Sequence, residues 1–377
     1  MERTKGMDFG LSEEQEMLKT MARDFLETEC PVKLVREMEN DEKGYSPELW
    51  RKMAQVGWLG LPFPEEYGGS DGSFLDLAVL LEEMGRAMLP GPFIPTVVSC
   101  GLPILAAGTD EQKHDFLPKI ASGEIILTMA LTEPNADYAA TGIETKAVPT
   151  NGDFAVSGTK LLVPYAHIAQ YLMTAVRTGE GITLLLADTS SPGISCNLLT
   201  TVASDKQYEV IFDQVNVPQQ NVLGRQNEGQ EVLEQTLRWT AVAECALMLG
   251  GAQRASEMAI DYAKERVQYG SPIGHFQVIQ HKCADMATDV EGARHLTYQA
   301  AWKLSQGLPC AMEVSMAKAW VGAACSRVCA QACHLYGAMG YTEDHDTQLY
   351  LRRVKAAELT FGDVTFHQEI VAQQLGL

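Results

Sequence analysis

The sequence predicts an α+β protein in which a helical region, a strand-rich region and a second helical region follow one another. Three observations lead to this fold class. Apolar side chains recur every three or four positions in the first and last thirds of the chain, which is typical of helices. The middle third instead has short alternating runs between turn sequences. The length of 377 residues suits several domains, and we predict three, at 1–124, 125–225 and 226–377.

The composition argues against several classes of function. A formal net charge of −20 at pH 7 would repel nucleic-acid phosphates, so we expect no nucleic-acid partner. No apolar run reaches the length of a membrane span, and the first residues, MERTKGMDFG, lack the apolar segment of a signal peptide. The nine cysteines form no compact framework and are typical of reduced thiols. We therefore expect a cytoplasmic protein without a membrane span.

Helix-start signals divide the first third into helices. Ser12–Gln15 forms a capping box, and Ser46-Pro47 opens a further helix with proline at its first position. A loop rich in glycine and proline follows at 57–73, before a helix at 74–88. Thr109–Gln112 caps a last, short helix. An all-helical first domain is the prediction.

Turn signals divide the middle third into strands. Thr150-Asn151-Gly152 separates two alternating runs and predicts a tight hairpin. Further turns at 178–181 and 190–193 flank the apolar run Ile182–Leu186. Short strands at such spacing predict a small sandwich or barrel.

The last third contains two long predicted helices that meet at a tight turn. Small apolar residues repeat at helical spacing over 243–262 and again over 279–293. The turn between them carries Arg266 and Gln277, and an arginine there can hold a phosphate through its planar fork. The simpler alternative is a helical hairpin whose arginine is a solvated surface charge.

Three cysteines on one predicted helix raise the question of a metal site. Cys325, Cys329 and Cys333 stand at i, i+4 and i+8, next to His334. The outer two lie about 12 Å apart along a helix, whereas Zn–S bonds are about 2.3 Å long, so one ion cannot bind all three. We expect small packing residues and no metal. The acidic sequence Asp344-His345-Asp346 is interpreted as a solvated turn.

Several stretches resemble the acyl-CoA dehydrogenase family over essentially the whole chain. The run AKERVQYGSPIGHFQVIQHKCADM is similar to the family's C-terminal domain, and LSEEQ, LGLPFPEEYGG and GTDEQKHDFLP are similar to its N-terminal domain. The resemblance implies an N-terminal α-helical domain, a middle β-barrel or sandwich domain and a C-terminal four-helix-bundle domain.

The resemblance implies FAD as the cofactor. The segment beginning Leu131-Thr132 matches the start of the family's flavin-contacting loop. Where the family usually carries a tryptophan and a hydroxyl residue against the flavin, this chain has Leu162 and Pro164. The cofactor-binding residues that the resemblance implies are Leu131, Thr132, Arg266, Gln277, Gly337, Ala338 and Gly340. Arg266 and Gln277 would bind the flavin of a neighbouring subunit.

The family's catalytic carboxylate is missing from both of its usual positions. The family reads Tyr-Glu-Gly-Thr where this chain reads Thr360-Phe361-Gly362-Asp363, so Phe361 stands at the base position. A minority of the family carries the glutamate on a helix near Arg238, and the matching residue here is Thr240. The resemblance implies that Arg238, Phe361 and Gly362 bind substrate.

Other carboxylates are candidates for the missing base. Asp363 ranks first because it lies two residues from Phe361, and Glu244 ranks second because it is about one helical turn from Thr240. Glu358 and Asp137 are weaker candidates. For each of the four, a structural or surface carboxylate is the favoured interpretation.

The resemblance implies FAD-dependent α,β-dehydrogenation of an acyl-CoA thioester, for which a cyclic, branched or bulky acyl group is one possibility. The resemblance implies that electrons pass to an electron-transfer flavoprotein and that the chain forms a homo-oligomer, a dimer or tetramer. Three alternatives stay open. The chain could be a base-less subunit of a hetero-oligomer with a related subunit, a flavin-dependent oxidase or monooxygenase, or a flavin-free helical scaffold.

Overall fold

The structure, a computed structural model, describes residues 10–136, 138, 140–179 and 181–377. The α-helices within these residues are α1 (Glu13–Glu29), α2 (Val32–Asn40), α3 (Pro47–Gln55), α4 (Phe74–Arg86), α5 (Leu102–Ala107), α6 (Asp110–Ala121), α7 (Gln230–Glu265), α8 (Gln277–Ser305), α9 (Ala311–Leu335), α10 (Thr347–Leu359) and α11 (Val364–Gln374). The strands are β1 (Leu127–Ala130), β2 (Lys146–Thr150), β3 (Asp153–Pro164), β4 (Tyr171–Thr178), β5 (Gly181–Asp188), β6 (Ile194–Leu199), β7 (Gln207–Val217), β8 (Val222–Leu223), β9 (Val267–Gln268) and β10 (Ser271–Pro272). None of the described helices combines the length and the apolar character that crossing a membrane requires.

The chain forms two compact units. The first comprises the described part of Met1–Val35, together with Ser73–Leu89 and Ala241–Leu377. The second comprises Arg36–Gly72 and Pro90–Thr240, so the division falls inside α7. The order of a helical, a sheet and a helical region along the chain confirms the predicted fold class, while the boundaries of the three predicted domains stay a prediction.

The predicted helix starts are confirmed by their hydrogen bonds. Ser12 and Thr109 each accept a bond from the backbone N–H three residues on, and the glutamine at that position bonds back to the cap. Ser46 caps α3 in the same way, with proline at the first helical position. A further capping box, formed by Ser73 and Asp76, opens α4. Each box pairs amide groups that would otherwise lack partners at a helix start.

Helices α4 and α7 approach so closely that two glycines are required. A Cβ on Gly250 would lie 1.7 Å from the Glu82 carbonyl oxygen, and one on Gly85 would lie 2.0 Å from the Leu247 carbonyl oxygen. Any side chain at either position would push the helices apart. Charged groups are buried beside this crossing, where Glu82 is 3% exposed and pairs with Lys19 and Arg294.

Eight strands form one hydrogen-bonded sheet in the order β6-β7-β3-β2-β4-β5-β8, with β1 paired to β4. Strands β2 and β3 pair with Thr150 opposite Asp153, and the two turn residues Asn151 and Gly152 both have positive φ angles. This is the turn geometry that an Asn-Gly pair favours, so the predicted hairpin is confirmed. Glu180, in the next predicted turn, lies outside the described residues.

One of the helical segments that were not predicted is unusual in its geometry. Ile94–Gly101 forms a buried π-helix that runs directly into α5. Pro95 and Pro103 indicate breaks in the sequence. Pro95 stands at the second position of its segment, where a missing N–H costs no helical bond, whereas Pro103 lies where the π-helix continues into α5.

Candidate functional site

The loop Leu131–Ala136, which follows β1, is anchored by a buried lysine from β3. The Lys160 Nζ lies 2.7 Å from the Glu133 Oε1. It also donates to the carbonyl oxygens of Ala175 at 2.8 Å and Leu131 at 3.3 Å. The lysine is fully buried and Glu133 is 4% exposed. A charge pair that is buried to this degree requires such complete hydrogen bonding.

Glu133 holds the other side of the same loop. Its carboxylate accepts from the backbone N–H of Glu144 at 2.8 Å and of Thr145 at 3.1 Å. Burial alone would raise the pKa of Glu133, but the Lys160 ammonium and these bonds outweigh it and hold the pKa below its ordinary value. The Leu161 N–H also donates to the Thr132 carbonyl at 2.7 Å. The loop backbone is therefore fixed, while the half-buried Thr132 hydroxyl has no hydrogen-bond partner in the described part of the chain.

The two residues that depart from the family pattern lie where β3 is irregular. The β3–β7 register shifts between Lys160 and Val163. Leu162 lies inside this bulge with a φ of 53° and is 50% exposed. Pro164 ends the strand and is half-buried. A β-bulge changes the direction in which its side chains point. The exposure of the apolar Leu162 side chain therefore follows from the irregular backbone of β3.

The turn between α7 and α8 leaves its arginine unpaired. The backbone of Arg266 accepts from Ile273 at 2.8 Å, which closes a small hairpin of β9 and β10. Tyr269 and Gly270 form its tip with positive φ angles. The Arg266 side chain is exposed and makes no hydrogen bond or ion pair with any described residue. Gln277 is exposed at the first position of α8.

A short 3-10 helix, Gly337–Tyr341, follows α9. Gly337 is exposed, has a φ of 67°, and would have nothing within 4 Å of an added Cβ. Gly340 differs, because its Cβ would lie 2.2 Å from the Cys333 carbonyl oxygen. Gly340 is therefore required by packing against α9, whereas Gly337 is required by its backbone angle alone. Ala338, between them, is exposed.

Each of these residues, taken by itself, offers a group that suits one part of a flavin dinucleotide. An unpaired guanidinium can bind a pyrophosphate through charge-assisted bonds, and the exposed glycine at 337 lets a ligand approach the backbone. The Thr132 hydroxyl offers both a donor and an acceptor to a flavin ring.

The predicted base position is a strained turn between α10 and α11. Phe361 is half-buried with a φ of 55°, a region that bulky side chains rarely adopt. Gly362 is buried with a φ of 100°, and an added Cβ would lie 2.4 Å from the Phe366 Cδ1. Two buried side chains, those of Lys318 on α9 and His367 on α11, bond to the carbonyls of this turn.

The structure gives each described carboxylate candidate a definite place. Asp363 is exposed and caps α11, where its Oδ1 accepts from the Phe366 N–H at 2.8 Å. Glu244 is half-buried on α7, and its charge acts on the buried Lys318. Glu358 is 8% exposed and accepts bonds from Lys355 and Ser326. Asp137 lies outside the described residues.

The alternative base position on α7 holds no acid. Thr240 is fully buried, and its hydroxyl donates to the Thr236 carbonyl at 2.8 Å and lies 3.4 Å from the Ser99 hydroxyl. Arg238 is half-exposed and bonds to Gln235 and Glu234 on its own helix. Its guanidinium is therefore held along α7 by local partners.

The cysteines of α9 are buried packing residues. Cys325, Cys329 and Cys333 are at most 1% exposed. Burial raises the pKa of all three thiols, so they stay protonated near neutral pH. Within the described residues, no group of three histidine, cysteine or acidic side chains is placed to hold a metal ion.

Sequence reasoning missed four residues that shape these sites: Glu133, Lys160, Lys318 and His367. A weak signal existed for Lys318, which stands among Val314, Ala317 and Val321 on the apolar face of its helix. A lysine at such a position is rarely buried without a specific partner. No comparable pattern identifies His367, because its partners come from a turn and another helix.

Three family models match successive parts of the chain. The family model for the acyl-CoA dehydrogenase N-terminal domain matches residues 12–124, that for the middle domain matches 128–215, and that for the C-terminal domain matches 227–376. The chain is 34% identical to the probable acyl-CoA dehydrogenase YngJ of Bacillus subtilis, over 98% of this chain and all of that protein. It is 32% identical to the caffeyl-CoA reductase–Etf complex subunit CarC of Acetobacterium woodii, over 97% and 98% of the two chains.

A solved structure gives the same result for the fold. A chain of the ChsE4–ChsE5 complex from Mycobacterium tuberculosis superimposes with a TM-score of 0.92 at 26% identity, over 98% of this chain and 99% of that one. Members of the matched family are FAD-dependent flavoproteins. With three family models that together span most of its length, this chain belongs to the acyl-CoA dehydrogenase family of oxidoreductases.

Proposed function

We propose that this protein binds FAD and removes two hydrogens from the α and β carbons of an acyl-CoA thioester, with a cyclic, branched or bulky acyl group as one substrate class. The observation that carries this proposal is the Phe361–Gly362 turn. Both of its carbonyls accept hydrogen bonds from buried side chains, and both of its amide N–H groups lack a partner within the described residues. Unpaired amides in a fixed backbone suit a thioester oxygen on which negative charge develops.

The residues proposed to hold FAD contribute charge, hydroxyl groups and open backbone. Arg266 and Gln277 would bind the pyrophosphate region of FAD in a neighbouring subunit, because neither has a side-chain partner in the described part of its own chain. When bound, FAD supplies the acceptor for the hydride that leaves the β carbon. The remaining proposed contacts come from Leu131, Thr132, Gly337, Ala338 and Gly340.

We propose Asp363 as the group that takes the α-proton, with Glu244 as the second candidate. Asp363 is exposed and adjacent to the turn, so its carboxylate is accessible to a ligand. Arg238 and the Phe361–Gly362 turn are proposed to contact the substrate.

The variant Asp363→Asn separates this role from the structural one. Asparagine caps a helix about as well as aspartate, so α11 should keep its start while the base is lost. We expect acyl-CoA-driven flavin reduction to fall a hundredfold or more, on the order of a general base's contribution, with FAD still bound. Full activity in this variant would exclude Asp363, and Glu244→Gln would then be the decisive variant.

A second candidate function is that of a base-less subunit in a hetero-oligomer whose related subunit supplies the carboxylate. Phe361 at the base position favours it, and so does the similarity to a chain of the two-protein ChsE4–ChsE5 complex. Phe361→Glu tests this candidate. If only the base is missing, the variant should reduce its flavin with acyl-CoA when the unmodified chain does not.

We further propose the partners and the cellular location. An electron-transfer flavoprotein is proposed to accept the electrons, by analogy with the CarC subunit, which belongs to a reductase–Etf complex. A homodimer or homotetramer is proposed because Arg266 would serve a neighbour's flavin. Nine free thiols suit the reducing cytoplasm.

An anaerobic titration tests the main proposal. Purified protein loaded with FAD would be mixed with acyl-CoA thioesters of straight, branched and cyclic acyl groups while flavin absorbance is recorded. We expect bleaching with at least one of them. Bound FAD that no thioester reduces would refute self-sufficient dehydrogenation, and protein that retains no FAD would refute the cofactor assignment.

A further inference from the structure

Lys318 is a buried lysine among the C-terminal helices, and its ammonium group donates three hydrogen bonds. It is 1% exposed, and its Nζ donates to three carbonyl oxygens: Glu358 at 2.8 Å, Gly362 at 3.0 Å and Ala357 at 3.1 Å. Two of these carbonyls belong to the last turn of α10, where no intrahelical donor is available. The third belongs to the strained turn. One ammonium group therefore ties the end of α10 to the Phe361–Gly362 turn.

His367 binds the same turn from α11. It is 4% exposed, with its Nε2 3.1 Å from the Phe361 carbonyl oxygen and its Nδ1 3.3 Å from the Ser315 hydroxyl. A carbonyl only accepts, so Nε2 must carry the proton. Burial, followed by the nearby Lys318 charge, lowers the pKa of His367 to about 4, so the ring is neutral near pH 7. Its Nδ1 is then the acceptor for the Ser315 hydroxyl.

The two side chains occupy the acceptor groups of the turn and leave its donors open. Among the described residues, neither the Phe361 N–H nor the Gly362 N–H donates a hydrogen bond. The carbonyl of Phe361 and the N–H of Gly362 belong to one peptide unit, so a donor on that carbonyl polarises that N–H. Both residues have positive φ angles, which strain the backbone at the bulky Phe361. The hydrogen bonds from Lys318 and His367 therefore help to keep the turn in this conformation.

We propose that Lys318 and His367 are positioning residues that hold the Phe361–Gly362 turn so that its amide N–H groups bind the thioester carbonyl of the substrate. This inference rests on the proposed function and assigns two residues to it. These contacts are present although the base position carries phenylalanine. Recognition of the carbonyl and removal of the α-proton are thus separate parts of the site.

The test compares ligands that differ in the carbonyl. The FAD-loaded protein would be titrated by calorimetry with 3-thiaoctanoyl-CoA and with S-(3-thiaoctyl)-CoA, the matched thioether that lacks only the carbonyl. A cyclic pair, (cyclohexylthio)acetyl-CoA and S-[2-(cyclohexylthio)ethyl]-CoA, would be used in parallel. The sulfur at the β position prevents dehydrogenation of the carbonyl ligands, so binding is measured without turnover.

Two variants remove the donors. His367→Leu and Lys318→Met should each weaken the carbonyl ligand about tenfold, the usual size of one charge-assisted or polarised bond, and change the thioether less than twofold. His367→Gln should recover most of the loss, since its amide can donate to the same carbonyl. The control Lys303→Met removes a lysine of the same unit that pairs with Glu313.

The outcomes are distinct. Equal weakening of the carbonyl and thioether ligands would overturn the inference and leave only a structural role for the two side chains. Unmodified protein that binds neither pair would overturn the proposed function itself. If His367→Leu does not fold, Ser315→Ala replaces it, because it removes the hydroxyl that donates to Nδ1 and helps to hold the imidazole ring in place. We then expect a two- to fivefold loss for the carbonyl ligand, and no selective loss would count against the inference.

Discussion

Replacing the buried Lys160 by methionine should destabilise the unit that contains the sheet and release the proposed flavin loop. The substitution keeps the length of the apolar stem and removes the ammonium. Glu133, which is 4% exposed, then keeps a negative charge without its counter-ion. The carbonyls of Leu131 and Ala175 lose a donor each.

The size of the effect follows from these losses. Breaking a buried ion pair from one side costs about 3–5 kcal/mol. The lost donors at two carbonyls add roughly 1 kcal/mol each, while the two remaining N–H bonds to Glu133 offset part of the penalty. We expect about 4 kcal/mol in total. For a unit of this size that corresponds to a decrease in melting temperature of about 8–16 °C.

Thermal unfolding followed by tryptophan fluorescence measures this change, and absorbance after desalting measures retained FAD. Lys146→Met is the matched control, because Lys146 is exposed on the neighbouring strand, and we expect a change within about 0.5 kcal/mol. Adding Glu133→Gln to the Lys160 variant should restore about 1–2 kcal/mol by removing the unpaired charge. A single variant as stable as the control, or a double variant less stable than the single one, would refute this reasoning.

Two further changes test other parts of the chain. Arg266→Ala should weaken FAD binding by about 10- to 150-fold, the equivalent of roughly 1.5–3 kcal/mol for a charge-assisted bond, whereas Arg225→Ala should not; undiminished FAD affinity would contradict the assignment. Stability should fall as the pH decreases from about 6.5 to 4, because the unfolded chain then binds a proton at His367 that the folded chain, with a pKa of about 4, does not. Urea unfolding at several pH values should show that His367→Gln removes up to about 3 kcal/mol of this dependence, and an unchanged slope would contradict it.

Local signals made much of the fold predictable. A capping box such as that of Ser12 or Thr109 acts within four residues, and an Asn-Gly turn acts within two, so both can be read from a short stretch of sequence. The π-helix at Ile94–Gly101 was missed because its proline indicated a break at a position where proline is tolerated. The contact of Gly250 with α4 depends on residues far apart in the chain, and no local pattern encodes it.

The residues of the candidate sites also differ in whether the local sequence predicts them. Arg266 and Thr132 were predicted as site residues because the sequence around each of them resembles the family over a contiguous stretch. Lys318 was not predicted, because its hydrogen-bond partners lie about forty residues later in the chain. The helical periodicity also predicts an apolar side chain at its position. Burying a lysine there becomes favourable only once the end of α10 and the following turn present three carbonyls to it. The three hydrogen bonds of Lys318 exist only in the folded chain.

Because the cysteines lie in different elements, the reactivity of each thiol reports on local unfolding of the element around it. They lie in different elements: Cys100 is buried in the π-helix, Cys245 in α7 and Cys329 in α9. Burial raises the pKa of each of these thiols, so a thiol-specific reagent modifies them only when the surrounding element opens to solvent. The half-buried Cys196 and Cys283 should react first. The order in which the remaining thiols are modified would rank the local stability of the helices, without any engineered probe.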